Sequence, residues 1–321
     1  MKVLVFGKDG QLGKAFKSLF DEILPSFTKQ TDIQYLGRSE CDFSNPAAIN
    51  ASLNNLKPDL IINASAYTAV DKAESEADLA YAANAKAPEI MAAFAVKNNS
   101  TFLHYSTDYV FDGEKYGLYL EEDLLNPLGV YGKSKAAGED AIAKVFAASS
   151  SSQYAIFRTS WVYGDGTNFV RTILRLAKER EELKIVADQY GVPTSAHWLA
   201  KLSLSLALDN QGGIKRFLSG IYHAVPSGET TWHGLATTAI SAALEAGVAL
   251  RVSPSAIKAI TSSQYPTLAR RPMNSRMSTD KLRSVLANSS SYNDSIESSG
   301  FLDWEEMVRD YIRKLAARGL I

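Results

Sequence analysis

Short apolar runs alternate along the chain with longer stretches in which apolar residues recur every three or four positions. The short runs predict β-strands at residues 3–6, 33–36, 60–62, 101–106 and 154–158. The longer stretches have the period of amphipathic helices and predict helices at residues 11–20, 46–56, 77–98 and about 133–148. Strands and helices in alternation are typical of a parallel sheet covered on both faces. The pattern therefore predicts an α/β fold, a Rossmann-type doubly wound parallel sheet.

The regularity of this pattern ends near residue 160. We expect residues 1–160 to form a dinucleotide-binding Rossmann domain. Beyond it, a helix at 168–178, a strand at 220–223 and a helix at 304–318 are separated by less regular sequence. We expect residues 161–321 to form mainly a smaller α/β substrate-binding domain, with segments around 195–225 returning to the first domain. The polar stretches 149–152 and 288–295 predict solvated loops.

Composition and charge narrow the range of partners. The chain has 321 residues, 34 Lys and Arg against 35 Asp and Glu, and a formal net charge of -1. Such a balance creates no long-range field that would gather nucleic acid or an anionic membrane. No apolar run approaches the ~20 residues that cross a bilayer. We therefore expect neither nucleic acid nor a membrane as a partner.

Cysteine usage and the first residues suggest a location in the cell. Cys41 is the single cysteine and can form no intrachain disulfide. It has no partnering His nearby in sequence, and we give it no role. The chain begins with a strand pattern and lacks the layout of a signal peptide. We expect a cytoplasmic protein.

Three glycines lie at the turn between the first strand and the first helix. Gly7, Gly10 and Gly13 are spaced three apart, and Gln11 and Leu12 complete the turn. This spacing lets the backbone approach a pyrophosphate held at the helix N-terminus, where free N–H groups favour anions. A turn that merely joins strand to helix is the alternative, but the position at the first β–α junction favours cofactor binding.

The ends of the next two strands complete the predicted cofactor site. Arg38 follows the second strand and suits a 2′-phosphate, which favours NADPH, with NADH as the alternative cofactor. The alternative interpretation is that Arg38 is a solvated surface arginine. Further residues at strand ends face the same crevice and are predicted to contact the cofactor: Asp42, Phe43, Ala64, Ala66, Tyr67 and Thr68.

A candidate catalytic group follows the fourth strand. Tyr131 and Lys135 are four residues apart, which places both on one face of a helix. A reduced carbonyl needs a proton, and a phenol donates better when a nearby ammonium stabilises its anion. Thr107 ends the preceding strand, where it can hydrogen-bond a substrate oxygen as charge develops. Together with the glycine turn, these residues predict a carbonyl reductase.

These motifs resemble the dTDP-4-dehydrorhamnose reductase family, within the extended short-chain dehydrogenases/reductases. The resemblance covers nearly the whole chain and lies in residues 6–13, 42–46, 69–74, 106–113, 130–135, 158–164, 188–194 and 271–275. It implies that NAD(P)H reduces the 4-keto group of dTDP-4-dehydro-L-rhamnose, the last step of dTDP-L-rhamnose synthesis.

The resemblance also implies roles for single residues. Thr107, Tyr131 and Lys135 match the family's catalytic residues, and Asp108 and Trp161 match residues that contact the sugar. If the resemblance to the family is set aside, core packing and contact with the sugar are equally good interpretations of Trp161. Arg271 is our candidate for binding the nucleotide diphosphate, with Arg270 as the alternative.

The chain departs from some family members at positions that hold a metal. Those members join subunits through a glutamate-bound Mg²⁺, but Lys14-Ala15 and His197 stand at these positions here. Hard cations need oxygen ligands. The remaining histidines, His104, His223 and His233, lack metal-ligand spacing. We predict no metal site, and both a monomer and a homodimer remain open.

Two rival functions share this scaffold. One is another nucleotide-sugar enzyme, such as a 4,6-dehydratase or an epimerase-reductase. Dehydratases of this type place an Asp-Glu pair after the catalytic threonine, whereas Asp108 is followed here by Tyr109. The other rival is a regulatory subunit resembling that of methionine adenosyltransferase, which works as a binding partner. The intact Thr, Tyr and Lys favour catalysis.

Overall fold

The computed structural model of the chain describes residues 1–149, 151–287 and 301–321. Ser150 and the predicted loop at 288–295 lie outside the described residues. Across the described ranges, no helix combines the length and apolar character that a membrane span requires.

Twelve strands are found in the described chain. They are β1 (Lys2–Phe6), β2 (Asp32–Leu36), β3 (Leu60–Asn63), β4 (Thr101–Thr107), β5 (Gln153–Thr159), β6 (Val162–Tyr163), β7 (Leu183–Val186), β8 (Tyr190–Gly191), β9 (Thr194–Ser195), β10 (Gly220–His223), β11 (Thr230–Thr231) and β12 (Ile257–Ile260).

The α-helices of the described ranges connect these strands. They are α1 (Gln11–Ile23), α2 (Pro46–Leu56), α3 (Val70–Ala73), α4 (Ala77–Tyr81), α5 (Ala87–Asn98), α6 (Val130–Phe146), α7 (Phe169–Glu179), α8 (Ala196–Ala207), α9 (Trp232–Glu245), α10 (Asp280–Ala287) and α11 (Trp304–Ala317).

Six strands form one parallel sheet in the order β2-β1-β3-β4-β5-β10. After β2 the chain crosses to the other side of β1, so the direction of winding reverses between β1 and β3. In doubly wound sheets such a reversal opens a crevice at the carboxyl ends of the strands. The predicted Rossmann-type fold is confirmed.

Alternating side chains of the central strands pack against two helical layers. Val3 and Val5 point toward α1 and α8, whereas Leu4 and Phe6 point toward α2, α5 and α6. This division follows from the two-residue period of a strand. Burial on both faces explains why these strands appear in the sequence as continuous apolar runs.

A second core lies beside the carboxyl edge of the sheet. It is built by α7, α9 and α11, together with Val110 and Phe111 from the segment after β4. Smaller two-stranded pairs, β7 with β12 and β8 with β11, complete this half. The strand β10 and the helix α8 pack with the first core, although they follow residue 160. The boundary between domains stays a prediction.

The predicted helix at 77–98 is present, with one irregularity that the sequence did not indicate. It is divided into α4, a single π-helical turn at Ala82–Lys86, and α5. A π-turn inserts one extra residue into a helix and is frequent at functional sites. Here it turns the Asn84 side chain toward the interior, where it is fully buried.

Helix α6 begins at Val130, three residues before the predicted start, and so includes Tyr131. Its N-cap residue is Gly129, which has no side chain to cap the helix. The Glu74 carboxylate accepts a hydrogen bond from the Val130 N–H at 2.9 Å instead. A carboxylate at a helix N-terminus is also favoured by the helix dipole. A residue distant in sequence therefore fixes where this helix starts.

Candidate active site

A cleft of about 660 Å³ opens at the carboxyl edge of the sheet. The sequence-predicted residues that line it are Gly7, Gly10, Gln11, Leu12, Arg38, Asp42, Phe43, Ala64, Ala66, Tyr67, Thr68, Thr107, Asp108, Tyr131, Lys135 and Trp161. Two further predicted residues, Gly13 and Arg271, do not line it. Residues from both halves of the chain thus converge on one cavity.

The glycine turn brings the backbone of α1 close to β3. Gly7 has a φ of +89°, and a Cβ there would lie 2.7 Å from the Ala64 carbonyl oxygen. A Cβ at Gly13 would lie 2.0 Å from the Gly7 carbonyl oxygen, so Gly13 shapes the turn from behind. Gly10 is the N-cap and supplies no side-chain cap to α1. This uncapped helix start at the cleft fits the pyrophosphate of a dinucleotide.

Arg38 lies exposed at the outer end of the cleft. Its neighbours Lys8 and Glu40 pair with each other, whereas Arg38 enters no ion pair with any described residue. Phe43 packs edge-on against Phe6, with ring centroids 5.5 Å apart. This end of the cleft thus offers an aromatic ring beside an uncommitted guanidinium, which fits an adenosine with a 2′-phosphate.

The buried Asn84 holds the cleft wall after β3. Its side chain accepts from the Tyr67 N–H at 2.9 Å and donates to the Tyr67 carbonyl oxygen at 3.0 Å. The same amide donates to the Ser134 hydroxyl of α6 at 3.0 Å. Asn84 therefore ties the predicted cofactor wall to the helix that carries Tyr131. Sequence analysis missed it, because its partners lie 17 and 50 residues away.

Thr107, Asp108 and Tyr131 form one hydrogen-bonded group. The Thr107 hydroxyl donates to Asp108 Oδ1 at 2.9 Å. Burial raises the pKa of Tyr131 to about 12, while its hydrogen bond with Thr107 acts in the opposite direction. Tyr109 packs edge-on against the Tyr131 ring at 5.5 Å. The phenol is therefore held in place and protonated at neutral pH, as a proton donor must be.

Lys135 lies one helical turn after Tyr131 and is 1% exposed. Its Nζ donates to the Tyr105 carbonyl oxygen at 2.5 Å and lies 3.2 Å from His104 Nε2. Burial lowers the pKa of Lys135 to about 8, against the raising effect of Glu139. This lysine is therefore a far readier source of protons than an exposed one.

Two buried hydroxyls in the cleft have no hydrogen-bond partner among the described residues. They are Ser106 Oγ on β4 and Thr159 Oγ1 on β5. Buried polar groups are nearly always hydrogen-bonded, and an unpaired one in a cleft points to a polar ligand. Sequence analysis did not identify either residue as part of the site.

Two tryptophans also line the cleft. Trp161 and Trp232 stack with centroids 3.7 Å apart and an interplanar angle of 16°. Trp161 has a φ of +48°, a strained conformation for a bulky residue. A Cβ at Gly191 would lie 2.7 Å from its indole ring, so the ring fits only beside a glycine. Sequence analysis predicted Trp161 here but not Trp232, which also lines the cleft.

Arg271 is committed to an ion pair outside the cleft lining. Its guanidinium binds both carboxylate oxygens of Asp71, at 3.2 and 2.8 Å. The Asp71 carboxylate also accepts from the Ala269 N–H at 3.0 Å. The pair thereby fastens the loop before α10 to helix α3. The predicted contact of Arg271 with a nucleotide diphosphate stays a prediction.

The cysteine and two of the histidines lie outside the lining of the cleft. Among the residues that the structure describes, no group of three or more His, Cys, Asp or Glu could hold a metal ion. Cys41 is buried, and burial raises the pKa of its thiol. His223 and His233 each lie within hydrogen-bonding distance of a backbone carbonyl oxygen, that of Ser278 and of Ile257.

The parallel Rossmann sheet has a cleft in which a glycine turn meets a Tyr–Lys pair. This combination defines a class of proteins, the short-chain dehydrogenases/reductases. The family model described as "RmlD substrate binding domain" matches residues 1–299. The dTDP-4-dehydrorhamnose reductase of Escherichia coli K12 is 42% identical over 295 residues, which cover 89% of this chain and 92% of that protein. The chain belongs to the dTDP-4-dehydrorhamnose reductase family, as its motifs predicted.

Further relatives agree over the whole length. The dTDP-4-dehydrorhamnose reductase of Sinorhizobium fredii is 39% identical over 321 residues, which cover 99% of each chain. The crystal structure of the Bacillus anthracis dTDP-4-dehydrorhamnose reductase, in complex with NADP, superposes with a TM-score of 0.81. That protein is 30% identical, and the match covers 98% of this chain and 99% of that one.

Asp108 gives a testable consequence for stability. Burial raises the pKa of its carboxyl to about 6, against hydrogen bonds from Ser275 and Thr107 that act to lower it. A raised pKa means that the folded chain binds this proton more tightly than the unfolded chain does. Stability is therefore lost as the pH rises from about 4 to about 6 and stays lower above that range.

We expect Asp108→Asn to raise the free energy of unfolding at pH 7.5 by about 2 to 3 kcal/mol, since one pKa unit corresponds to 1.36 kcal/mol. At pH 4 the variant and the parent protein should be nearly equal. Urea unfolding at both pH values measures this difference. The control is Asp140→Asn on the exposed face of α6. An Asp108→Asn variant that is less stable at pH 7.5 would contradict the assignment.

Proposed function

We propose that this protein reduces the 4-keto group of dTDP-4-dehydro-L-rhamnose to give dTDP-L-rhamnose, with NADPH as the reductant. The observation that carries the proposal is the single cleft in which the glycine turn, Thr107, Tyr131 and Lys135 meet. Membership of the family and the NADP complex of the Bacillus anthracis relative support the same conclusion.

The residues of the cleft fit a dinucleotide. The uncapped start of α1, at Gly10, Gln11 and Leu12, would hold the pyrophosphate. Arg38 would bind the 2′-phosphate, and Asp42 and Phe43 would flank the adenine. Ala64, Ala66, Tyr67 and Thr68 would form the wall along the cofactor. When bound, NADPH supplies the hydride that reduces the carbonyl carbon.

Tyr131 donates the proton that the substrate oxygen needs. Its hydroxyl lies in the hydrogen-bonded group with Thr107 and Asp108, and its ring is fixed by Tyr109. In the reduction, the phenol O–H bond breaks and an O–H bond forms on the sugar at C4. General acid catalysis of this kind contributes about 10²- to 10⁴-fold to the rate.

Lys135 stabilises the phenolate that remains and holds the nicotinamide ribose. A cation one helical turn away favours the anionic form of the phenol. Thr107 hydrogen-bonds the substrate oxygen as negative charge develops there. Without substrate its single O–H donates to Asp108 Oδ1, so the hydroxyl turns from Asp108 to the substrate oxygen when substrate binds.

The tryptophan pair recognises the sugar. A 6-deoxyhexose has an apolar methyl group and an apolar ring face, which suit the flat indole of Trp161. Trp232 supports that ring from behind, and its Nε1 donates to Gln189 at 3.2 Å. Ser106 and Thr159 offer unpaired hydroxyls for the sugar's polar groups.

The decisive assay is the loss of NADPH absorbance when the purified protein is mixed with dTDP-4-dehydro-L-rhamnose. We expect NADPH consumption with this sugar and none with dTDP-glucose, which lacks the keto group. Turnover by the purified protein, with no partner protein added, would also exclude a purely regulatory role. NADPH binding without consumption would contradict the proposed reaction.

We expect Tyr131→Phe to lower kcat by about 100-fold or more while NADPH binding is retained, because only the proton donor is removed. Steady-state kinetics and cofactor fluorescence measure the two effects. Tyr35→Phe is the matched control, since Tyr35 lies on β2 outside the cleft and its buried hydroxyl has no described partner. Unchanged turnover in Tyr131→Phe would exclude the mechanism.

We expect Arg38→Ala to raise the Kd of NADPH by about 10- to 100-fold, the range for losing a hydrogen bond to a charged group. The Kd of NADH should change by less than about twofold, because NADH has no 2′-phosphate. Arg175→Ala, on the exposed face of α7, serves as the control. Equal losses for both cofactors would show that Arg38 does not bind this phosphate.

A further inference from the structure

A chain of hydrogen bonds runs from Ser65, which lines the cleft, through Asn63 and His104 to Lys135. Lys135 Nζ lies 3.2 Å from His104 Nε2, and His104 Nδ1 lies 3.0 Å from Asn63 Nδ2. Asn63 Oδ1 accepts from the Ser65 hydroxyl at 2.6 Å and from the Ser65 N–H at 3.3 Å. His104 is fully buried, and Asn63 is 1% exposed. The proton positions along this chain are therefore not set by solvent.

The direction of each hydrogen bond follows from the Ser65 end. A backbone N–H can only donate, so the Asn63 atom that faces it is the carbonyl oxygen. The Asn63 NH₂ group then faces His104 Nδ1 and donates to it. Since a neutral imidazole carries one proton, that proton lies on Nε2. Burial keeps the ring neutral by lowering the pKa of His104 well below its usual range, and the charge of Lys135 acts in the same direction.

The Nε2–H of His104 consequently points at Lys135. An ammonium has three N–H donors and no lone pair, whereas a neutral amine can accept this hydrogen bond. The amine can still donate to the Tyr105 carbonyl oxygen at 2.5 Å. The chain of donors from Ser65 to Lys135 is thus complete only when the lysine has given up a proton.

We propose that His104 is a positioning residue for Lys135, and that Asn63 and Ser65 hold it in the tautomer that donates to the lysine amine. The proposed consequence for catalysis rests on the reductase function above. A hydrogen bond donated to the neutral form lowers the proton affinity of a group. His104 thereby makes Lys135 a better proton source.

The charged and titratable groups around Lys135 lie on three elements. On its own helix are Tyr131, one turn before, and Glu139, which raises its pKa. Glu139 is itself paired with Arg158 of β5 at 2.7 Å. From β4 comes His104. Glu139 favours the ammonium form of Lys135, so among these groups the hydrogen bond from His104 is the contact that favours the neutral amine.

This arrangement returns a proton to Tyr131 after each reduction. The phenolate left by catalysis takes a proton from the Lys135 ammonium, so an N–H bond breaks and the phenol O–H bond re-forms. The lone pair left on Nζ accepts the hydrogen bond from His104. The lysine regains its proton from water. Burial raises the pKa of Tyr131 and lowers that of Lys135, and both shifts favour this transfer.

The first test reads the tautomer directly and needs no substrate. The chain has only four histidines, so ¹⁵N-histidine labelling gives a simple imidazole spectrum, and the signal lost in His104→Phe belongs to His104. We expect the proton on Nε2 and an unprotonated Nδ1 in the free protein. A proton on Nδ1 would overturn the proposal even if the protein is a reductase.

The second test is the pH profile of kcat. Activity should fall above the pKa of Lys135, because the ammonium is the proton source. We expect His104→Phe to move this alkaline limb to higher pH by about one unit, a tenfold change in proton affinity. Asn63→Asp keeps the His104 imidazole and the size of the side chain at position 63. The new carboxylate accepts a hydrogen bond from Nδ1–H of His104, which reverses the tautomer. It should move the limb in the same direction.

His233→Phe is the matched control, because His233 bonds the Ile257 carbonyl oxygen outside the cleft. The alkaline limb of the kcat profile of this variant should lie at the same pH as in the parent protein. An alkaline limb that is unmoved in both His104→Phe and Asn63→Asp would overturn the proposal. Should His104→Phe fail to fold, Asn63→Asp and the tautomer spectrum decide the matter. If the protein reduces none of the sugars tested, the spectrum still decides the tautomer, so failure of the reductase function is distinguishable.

Discussion

The buried ion pair between Arg158 and Glu139 is the interaction on which the arrangement of the site depends. Both side chains are only 2% exposed, and the guanidinium also donates to the Glu121 carbonyl oxygen at 3.2 Å. Taking two charges out of water is costly and is offset only by close geometry with further hydrogen bonds. Tyr131, Lys135 and Glu139 follow each other at intervals of four, so they share one face of α6. Because Glu139 is held against β5, the helix can neither slide nor rotate, and this fixes the positions of Tyr131 and Lys135.

Several costs to stability lie at the cleft. Trp161 has a strained backbone, Asp108 is a buried carboxyl, and Ser106 and Thr159 have unpaired hydroxyls. Each feature is unfavourable for folding alone and useful for binding a polar ligand beside an apolar wall. The two well-packed cores on either side supply the stability that allows them.

Much of the fold was predictable because its signals are local. The strand at residues 60–63 is an apolar run buried on both faces, and α2 begins with Asn45 and Pro46, a cap and a first-turn proline. The π-helical turn within the predicted helix at 77–98 was missed, because the apolar period gives no sign of one inserted residue. Helix α9 was missed, since many of its apolar residues are alanines packed between α7 and α11.

The candidate site divides in the same way. Gly7, Tyr131 and Lys135 were predicted from spacing and from their place at strand and helix ends. Asn84 and Trp232 were not, because their importance comes from partners at least 17 residues away, such as Tyr67 for Asn84 and Gln189 for Trp232. For His104, sequence analysis established only the lack of metal-ligand spacing, and nothing in its neighbouring sequence indicates Lys135 as its partner. A sequence shows the elements of a site more readily than the contacts that orient them.

The chain passes repeatedly between the two cores. It leaves the sheet after β5, returns to it through α8 and β10, leaves again for α9, comes back at α10, and ends in α11 on the other side. A fragment that stopped after β5 would lack the edge strand of the sheet and the helix that covers α1. The second core is thus threaded through the first along the chain rather than appended to it. No single cut in the chain separates the two cores, so exchanging the second core for another would require several junctions to be joined at once.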